Sequence, residues 1–260
     1  MMVRFVEGKP SPHRKPGNHA SDLRLGVRLT MALVAVAIFT VPFVVLLVLV
    51  KTSSSPLKSL DESVALSLHA QALENPGYTT FLSVATEVFG PWTWRVLVVL
   101  AAVWLWRRGA PRLGIWAVAT ITFGGLLNLA VKEIVDRARP DLPNPVASAP
   151  GASFPSGHAM GAALGTCILV LLLLPFLRST ASRIIAWAVA AAIMVFVAYS
   201  RMALGVHWTS DVIAGVALGV VVVVGAAAGF EAWRRGEGRR PAEPHVEGVE
   251  PEAFRETRSG

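Results

Sequence analysis

Six stretches of the chain stay apolar long enough to cross a bilayer: 28–50, 91–107, 113–132, 158–177, 183–200 and 210–230. A spanning helix needs about 20 such residues. The first run is apolar throughout, with Pro42 as a candidate kink. The second is the shortest and carries Arg95, but Trp92, Trp94, Trp104 and Trp106 stand near its two ends, where indole rings favour the membrane–water interface. Charged or Pro-containing segments separate the last four. Residues 51–90 follow a different pattern. Ser55-Pro56 is a good helix start. Leu57, Leu60, Val64 and Leu68 then recur at helical spacing, with Lys58, Asp61, Glu62 and His69 elsewhere on the wheel, until Asn75-Pro76-Gly77 breaks the pattern. This predicts an amphipathic helix lying in the interface, His69 on its surface, and a second short helix over 78–89 leading into the second span. The fold class is therefore all-α: a polytopic membrane protein, six spans in a bundle, with an extracytoplasmic amphipathic segment.

Composition agrees. Apolar residues make up 53% of the 260 and charged residues only 16%, against about 25% in soluble domains. The segment 1–27 is polar and basic (Arg4, Lys9, Arg14, Lys15, Arg24) and carries three prolines. It reads as a disordered tail rather than a cleaved signal, since no small-residue cleavage site follows in a suitable place. The segment 231–260, rich in Arg, Glu, Pro and Gly, reads as a second tail. The membrane domain is then 28–230, with no internal repeat. The lone Cys167 allows no internal disulfide and reads as a small buried hydrophobe.

The net charge of +7 does not indicate nucleic acid, because the basic residues gather at the ends of apolar runs. With the N-terminus cytoplasmic, Arg107, Arg108, Arg112, Arg178, Arg183 and the arginines after 233 all fall on the cytoplasmic side, as the positive-inside rule requires. Both termini are then cytoplasmic in a multi-pass protein of the plasma membrane. Segments 51–90, 133–157 and 201–209 fall outside. Lys132, Arg137, Arg139 and Arg201 stand on that outer side against the rule, so they need a local reason.

Each has a plain structural explanation when taken singly. Lys132 and Arg139 can snorkel from a helix end. Ser156 can cap the fourth span and Asp211 the sixth. His207 can be an ordinary interfacial histidine. Taken together they describe an anion site. Three cations, His158, His207, Asp211 and the Ser156-Gly157 turn, whose N–H groups open a helix, all fall on one face of the membrane. Ionisable groups at membrane edges are functional candidates. Three cations with backbone donors suit a tetrahedral dianion and the charge developing on its oxygens during transfer. His207 and Asp211, four apart, share a helix face if the helix starts before His207, so the carboxylate can fix the imidazole tautomer.

These residues resemble the signature of the type 2 phosphatidic acid phosphatase superfamily, K-x6-RP, PSGH and SR-x5-H-x3-D. Every specified position is present: Lys132, Arg139, Pro140; Pro155, Ser156, Gly157, His158; Ser200, Arg201, His207, Asp211. The resemblance covers roughly 57–230. It implies that His207 attacks phosphorus to form a phosphohistidine, Asp211 orients it, and His158 protonates the leaving oxygen. Lys132, Arg139, Arg201, Ser156 and the Gly157 amide hold the phosphoryl oxygens. It also implies metal-independent catalysis without cofactor, sensitivity to vanadate, and a membrane lipid rather than nucleic acid as partner. The expected reaction is hydrolysis of a lipid phosphate or diphosphate at the outer interface. Undecaprenyl diphosphate is the preferred substrate, with phosphatidylglycerophosphate or phosphatidic acid as others. Transfer of the phosphoryl group to an acceptor hydroxyl is the alternative. A transporter fits poorly, because the span centres hold almost no polar groups beyond Asn128. Asp136, Arg137 and Asp141 flank the first cluster as possible tuners of substrate choice. Gly215, Gly219, Gly225 and Gly229 suggest close packing of the sixth span.

Overall fold

The structure is a computed structural model and describes residues 18–236. All the regular elements among them are helical: α1 (Asn18–Lys51), α2 (Ser55–Glu74), α3 (Pro76–Val88), α4 (Pro91–Arg107), α5 (Pro111–Val135), α6 (Gly157–Leu173, followed by one 3-10 turn), α7 (Thr180–Ala203) and α8 (Thr209–Gly236). Six runs are long and apolar enough to span a membrane, so this is a multi-pass membrane protein. The second of these runs is Pro76–Arg107. It takes in α3 as well as α4, because only Phe89-Gly90 separates the two, so the span starts earlier than the expected 91. α1 begins ten residues before the expected first span, and α8 continues to Gly236. Asn18–Gly26 and Glu231–Arg235 hold no proline to stop the flanking helices. The remaining parts of the two expected tails, 1–17 and 237–260, lie outside the described residues.

Helix starts follow local chemistry. Proline occupies the first turn of α2, α3, α4 and α5, where its missing N–H is not needed. Ser179 caps α7 by accepting from the Ser182 amide at 3.0 Å. α5 ends where Asp136 turns left-handed (φ 45°) and its N–H bonds back to the Lys132 carbonyl at 2.9 Å. The chain then runs without regular structure from 136 to 156 before α6 begins.

α6 is the axle of the bundle. It packs against α4, α5, α7 and α8, and Ala159–Ile168 are buried without interruption. Small residues allow this, since helices in lipid associate through close packing rather than hydrophobic exclusion. A Cβ added at Gly215 of α8 would lie 2.6 Å from the Ser156 carbonyl, and one at Gly219 would lie 2.8 Å from the Ala163 side chain. Gly225 and Gly229 have nothing within 4 Å, so the packing expected of all four belongs to the first two. α1 packs on α8 and leaves Leu33, Ile38, Val41 and Val45 uncovered. Such an apolar face is stable only against lipid.

α2 packs against α3, α7 and α8, and its expected apolar stripe lies at the edge of the contact, with Leu57, Val64 and Leu68 half-buried. Its buried residues are Asp61, Ala65, His69 and Ala72, one turn apart, whereas Leu60, Leu66 and Leu73 are exposed. His69 is not a surface residue: its Nε2 lies 2.7 Å from the Pro143 carbonyl oxygen. The inward side of α2 meets a polar site, so Asp61 and His69 turn inward.

The spans alternate in direction. The C-terminal ends of α1, α5 and α7 and the N-terminal ends of α4, α6 and α8 therefore share one end of the bundle. Both described ends of the chain lie at the other, with Arg107, Arg108, Arg178 and Arg183.

Candidate active site

Every residue singled out in the three sequence clusters sits at the first end. His207 lies in the five-residue turn between α7 and α8, entered through Gly205 at φ +68°. That left-handed conformation suits glycine, and a Cβ there would stand 2.9 Å from Leu142. Because α8 starts at Thr209, His207 is not on its helical face, contrary to the spacing argument. The contact forms another way. Asp211, in the first turn of α8, reaches back so that Oδ2 accepts the Trp208 amide at 2.9 Å, as a capping carboxylate does. The same oxygen stands 3.4 Å from His207 Nδ1 and accepts the Ser153 hydroxyl. With Nδ1 facing a carboxylate, that nitrogen carries the proton, and Nε2 keeps a lone pair.

Nε2 faces Arg139, whose Nη1 donates to it at 3.2 Å. The other four N–H groups of Arg139 go to the carbonyls of Gly151 (3.0 Å), Val206 (2.6 Å), Pro150 (2.9 Å) and Ala152 (3.3 Å). The guanidinium is thus pinned by backbone on four sides, and its remaining N–H points at His207. Burial draws Arg139 below its ordinary range, while Asp211 acts the other way. Lys132 at the end of α5 also donates to the Ala152 carbonyl, so the two cations converge there. Arg201 of α7 is buried, and its Nε–H has no acceptor among the described residues. An unpaired buried guanidinium N–H marks a place for an anion. His158, in the first turn of α6, lies within electrostatic reach of Arg201, His207, Arg139 and Lys132. Glu87 Oε1 stands 3.7 Å from its Nε2.

Ser156 caps α6 by accepting the Ala159 amide at 3.5 Å. Its own N–H goes to the Asp211 carbonyl at 3.0 Å, so it is not free for a ligand. The Gly157 and His158 amides are the open donors of this first turn. Phe154, stacked 6.2 Å from Phe43 of α1, holds the turn in place.

Behind Asp211 lies a second layer. Arg137 Nη1 donates to Asp211 Oδ1 at 2.7 Å and to Ser210 Oγ at 2.7 Å, and Nη2 donates to Asp61 Oδ2 at 2.7 Å. Asp61 also accepts the Ser210 amide at 3.0 Å and the Ser210 hydroxyl at 2.5 Å. Among the described residues, no three His, Cys, Asp or Glu side chains gather as a metal site.

Residues 113–235, which carry all of this except Phe43, Asp61 and Glu87, match the family model described as the PAP2 superfamily. A decaprenylphosphoryl-5-phosphoribose phosphatase of Mycobacterium tuberculosis, the same in strains CDC 1551 / Oshkosh and H37Rv, is 33% identical over 141 residues, 50% of this chain and 67% of that protein. The chain belongs to the PAP2 superfamily. A phosphatidylglycerophosphatase B of Bacillus subtilis (strain 168) is 39% identical over 100 residues, 37% of this PAP2 chain; the match spans only 48% of that relative. The fold is similar to the crystal structure of a transmembrane PAP2 type phosphatidylglycerolphosphate phosphatase from Bacillus subtilis, with a TM-score of 0.67 and 26% identity. That match covers 76% of this chain and 96% of the other.

The structure brings the eight expected site residues of this PAP2 protein to one place. It adds Asp61, Arg137, Ser153 and Ser210, which the sequence did not single out as parts of one network. Arg137 carried a signal, as an outer-side arginine against the positive-inside rule. Asp61 carried none, because a lone acid on an amphipathic helix looks solvated.

Proposed function

We propose that this protein hydrolyses lipid phosphates through a phosphohistidine on His207. The observation that carries the reading is the paired environment of His207. Nδ1 is backed by Asp211, and Nε2 is aimed at a guanidinium, so a phosphoryl group entering there presents phosphorus to Nε2 while one of its oxygens accepts the Arg139 N–H. In the first step Nε2 attacks phosphorus and a P–N bond forms. The P–O bond to the lipid alcohol breaks, and the leaving oxygen takes a proton from His158. Asp211 stabilises the positive charge on the His207 ring. In the second step His158 accepts a proton from water as its oxygen attacks, the P–N bond breaks, and inorganic phosphate leaves. Lys132, Arg139, Arg201 and the Gly157 amide hold the equatorial oxygens in both steps.

The reading extends to topology. The site end faces outward and both termini face the cytoplasm, because the arginine-rich turns lie at the opposite end. The lipid class rests on the spanning bundle and on the relatives, whose named substrates include a glycerolipid and a polyprenyl lipid. Undecaprenyl diphosphate, phosphatidylglycerophosphate and phosphatidic acid therefore form the test panel. Detergent-purified protein is expected to release inorganic phosphate from at least one of the three in water alone, and vanadate is expected to inhibit it by mimicking the five-coordinate transition state. No release from any of them would end the reading. Release that required an added acceptor alcohol would turn it into phosphotransfer.

Burial pushes His207 down to about 4, against the opposing pull of Asp211. The imidazole is thus neutral and nucleophilic throughout the physiological range. As pH falls through that value the ring protonates and the lone pair is lost. Once the substrate's own ionisation is divided out, kcat/KM is expected to hold down to about pH 4 and then fall. An acid limb near the ordinary histidine value, about 6.5, would contradict the nucleophile assignment.

A further inference from the structure

Arg95 has no part in the chemistry above. It lies one turn into α4, within the Pro76–Arg107 span, and is half-buried. No carboxylate or hydrogen-bond acceptor among the described residues pairs with its guanidinium, which lies 4.8 Å from the Trp92 ring. A cation inside a spanning helix normally has a partner or marks a ligand path.

The side chain turns back toward the outer end of α4, over Trp92, yet its guanidinium stays on the hydrocarbon side of His158. The side chain lies against α5 at Gly125, where a Cβ would stand 3.1 Å from Nη2. Gly125 is seven residues before Lys132, about 10 Å deeper along α5. The level of His158 is marked by Asn128, whose Oδ1 would be 3.3 Å from a Cβ on Gly157. The guanidinium therefore sits about one turn, roughly 5 Å, to the hydrocarbon side of His158. Arg95, Gly125, Asn128 and His158 line one cavity of about 310 Å³. Glu87 lines it too, at the His158 end. Below Arg95 the α4–α5 seam continues as an apolar groove of about 830 Å³, lined by Val99, Val103, Val118, Thr122 and Leu126.

Going inward, the order is phosphoryl site, a small cavity where Glu87, Asn128 and His158 stand among apolar side chains, the Arg95 guanidinium beside Trp92, and the apolar groove. We propose that Arg95 binds a second phosphoryl group of the lipid, set one short spacer inward from the scissile phosphate. The favoured substrate is then a phosphate monoester carried on a phosphodiester headgroup, with its chain in the α4–α5 groove. This rests on the phosphatase reading and adds a specificity residue to it. Arg95 acts on substrate choice, whereas the residues of the preceding section act on the reacting phosphorus.

The test compares phosphatidylglycerophosphate, which has two phosphoryl groups, with phosphatidic acid of the same acyl chains, which has one. Arg95→Gln is expected to lower the ratio of kcat/KM on the first lipid to that on the second about tenfold or more, mainly through KM, as loss of a charge-assisted contact does. Arg95→Lys should recover part of the ratio. Gly125→Ala keeps the charge but crowds the guanidinium, and should shift the ratio in the same direction. An unchanged ratio in Arg95→Gln, or equal losses on both lipids, overturns the subsite while leaving the phosphatase reading intact. Failure of the unmodified protein to release phosphate from either lipid overturns the subsite, and the phosphatase reading falls with it only if undecaprenyl diphosphate also yields none.

Discussion

Alanine at His207 is expected to lower phosphate release by about 10⁴-fold or more, the scale on which nucleophile removal acts in other covalent catalysts. The fold should survive, because Asp211 keeps its bonds from Arg137, Ser153 and the Trp208 amide. Brief incubation of the unmodified protein with radiolabelled lipid should leave an acid-labile, base-stable label on the chain, and His207→Ala should take up none. His158→Ala offers a contrast. A proton donor matters only when the leaving group needs a proton, so an aryl phosphate with an acidic phenol should restore much of the activity in His158→Ala and none in His207→Ala. Near-normal turnover in His207→Ala would refute the phosphohistidine.

The largest loss of stability is expected from Arg137→Ala. This arginine joins Asp61 of α2 to Asp211 of α8, and both carboxylates are buried. Its removal leaves two buried acids short of a cation, a change of about 3–5 kcal/mol when a buried pair is broken from one side. The unfolding midpoint in detergent should fall sharply, and turnover with it as Asp211 loses its clamp. The double variant Arg137→Ala/Asp61→Asn should lose much less than the sum of the two single variants, since one stranded charge has been removed. Additive losses would show that the two side chains do not act together.

The sequence exposed those parts of the molecule that long apolar runs and fixed spacings determine. The last four spans, the break at Asn75-Pro76, the Ser156 cap and the gathering of Lys132, Arg139, Arg201 and both histidines at one end were all legible. What escaped depends on partners distant in sequence or on what surrounds a helix. Asp61 and Arg137 are 76 residues apart, and nothing local joins them. On α2 it was Asp61 and His69 that escaped: a charged or titratable residue on an amphipathic helix looks solvated, yet both face inward. The His207–Asp211 contact was expected for the wrong reason, since a carboxylate folded back over the start of α8 makes it, rather than neighbours on a helical face. Gly225 and Gly229 look like Gly215 in sequence, but only a helix crossing nearby gives such a residue its purpose.

The bond from the Ser156 amide to the Asp211 carbonyl, together with the tight seat of Gly215 against Ser156, welds the start of α6 to the start of α8. Both imidazoles hang from that weld. A thinner or thicker bilayer can tilt peripheral helices such as α1 while the separation of the two imidazoles stays fixed. For the proposed phosphohistidine route this means that lipid environment governs how readily a headgroup arrives, while the bond-making step keeps its geometry in any membrane the protein occupies.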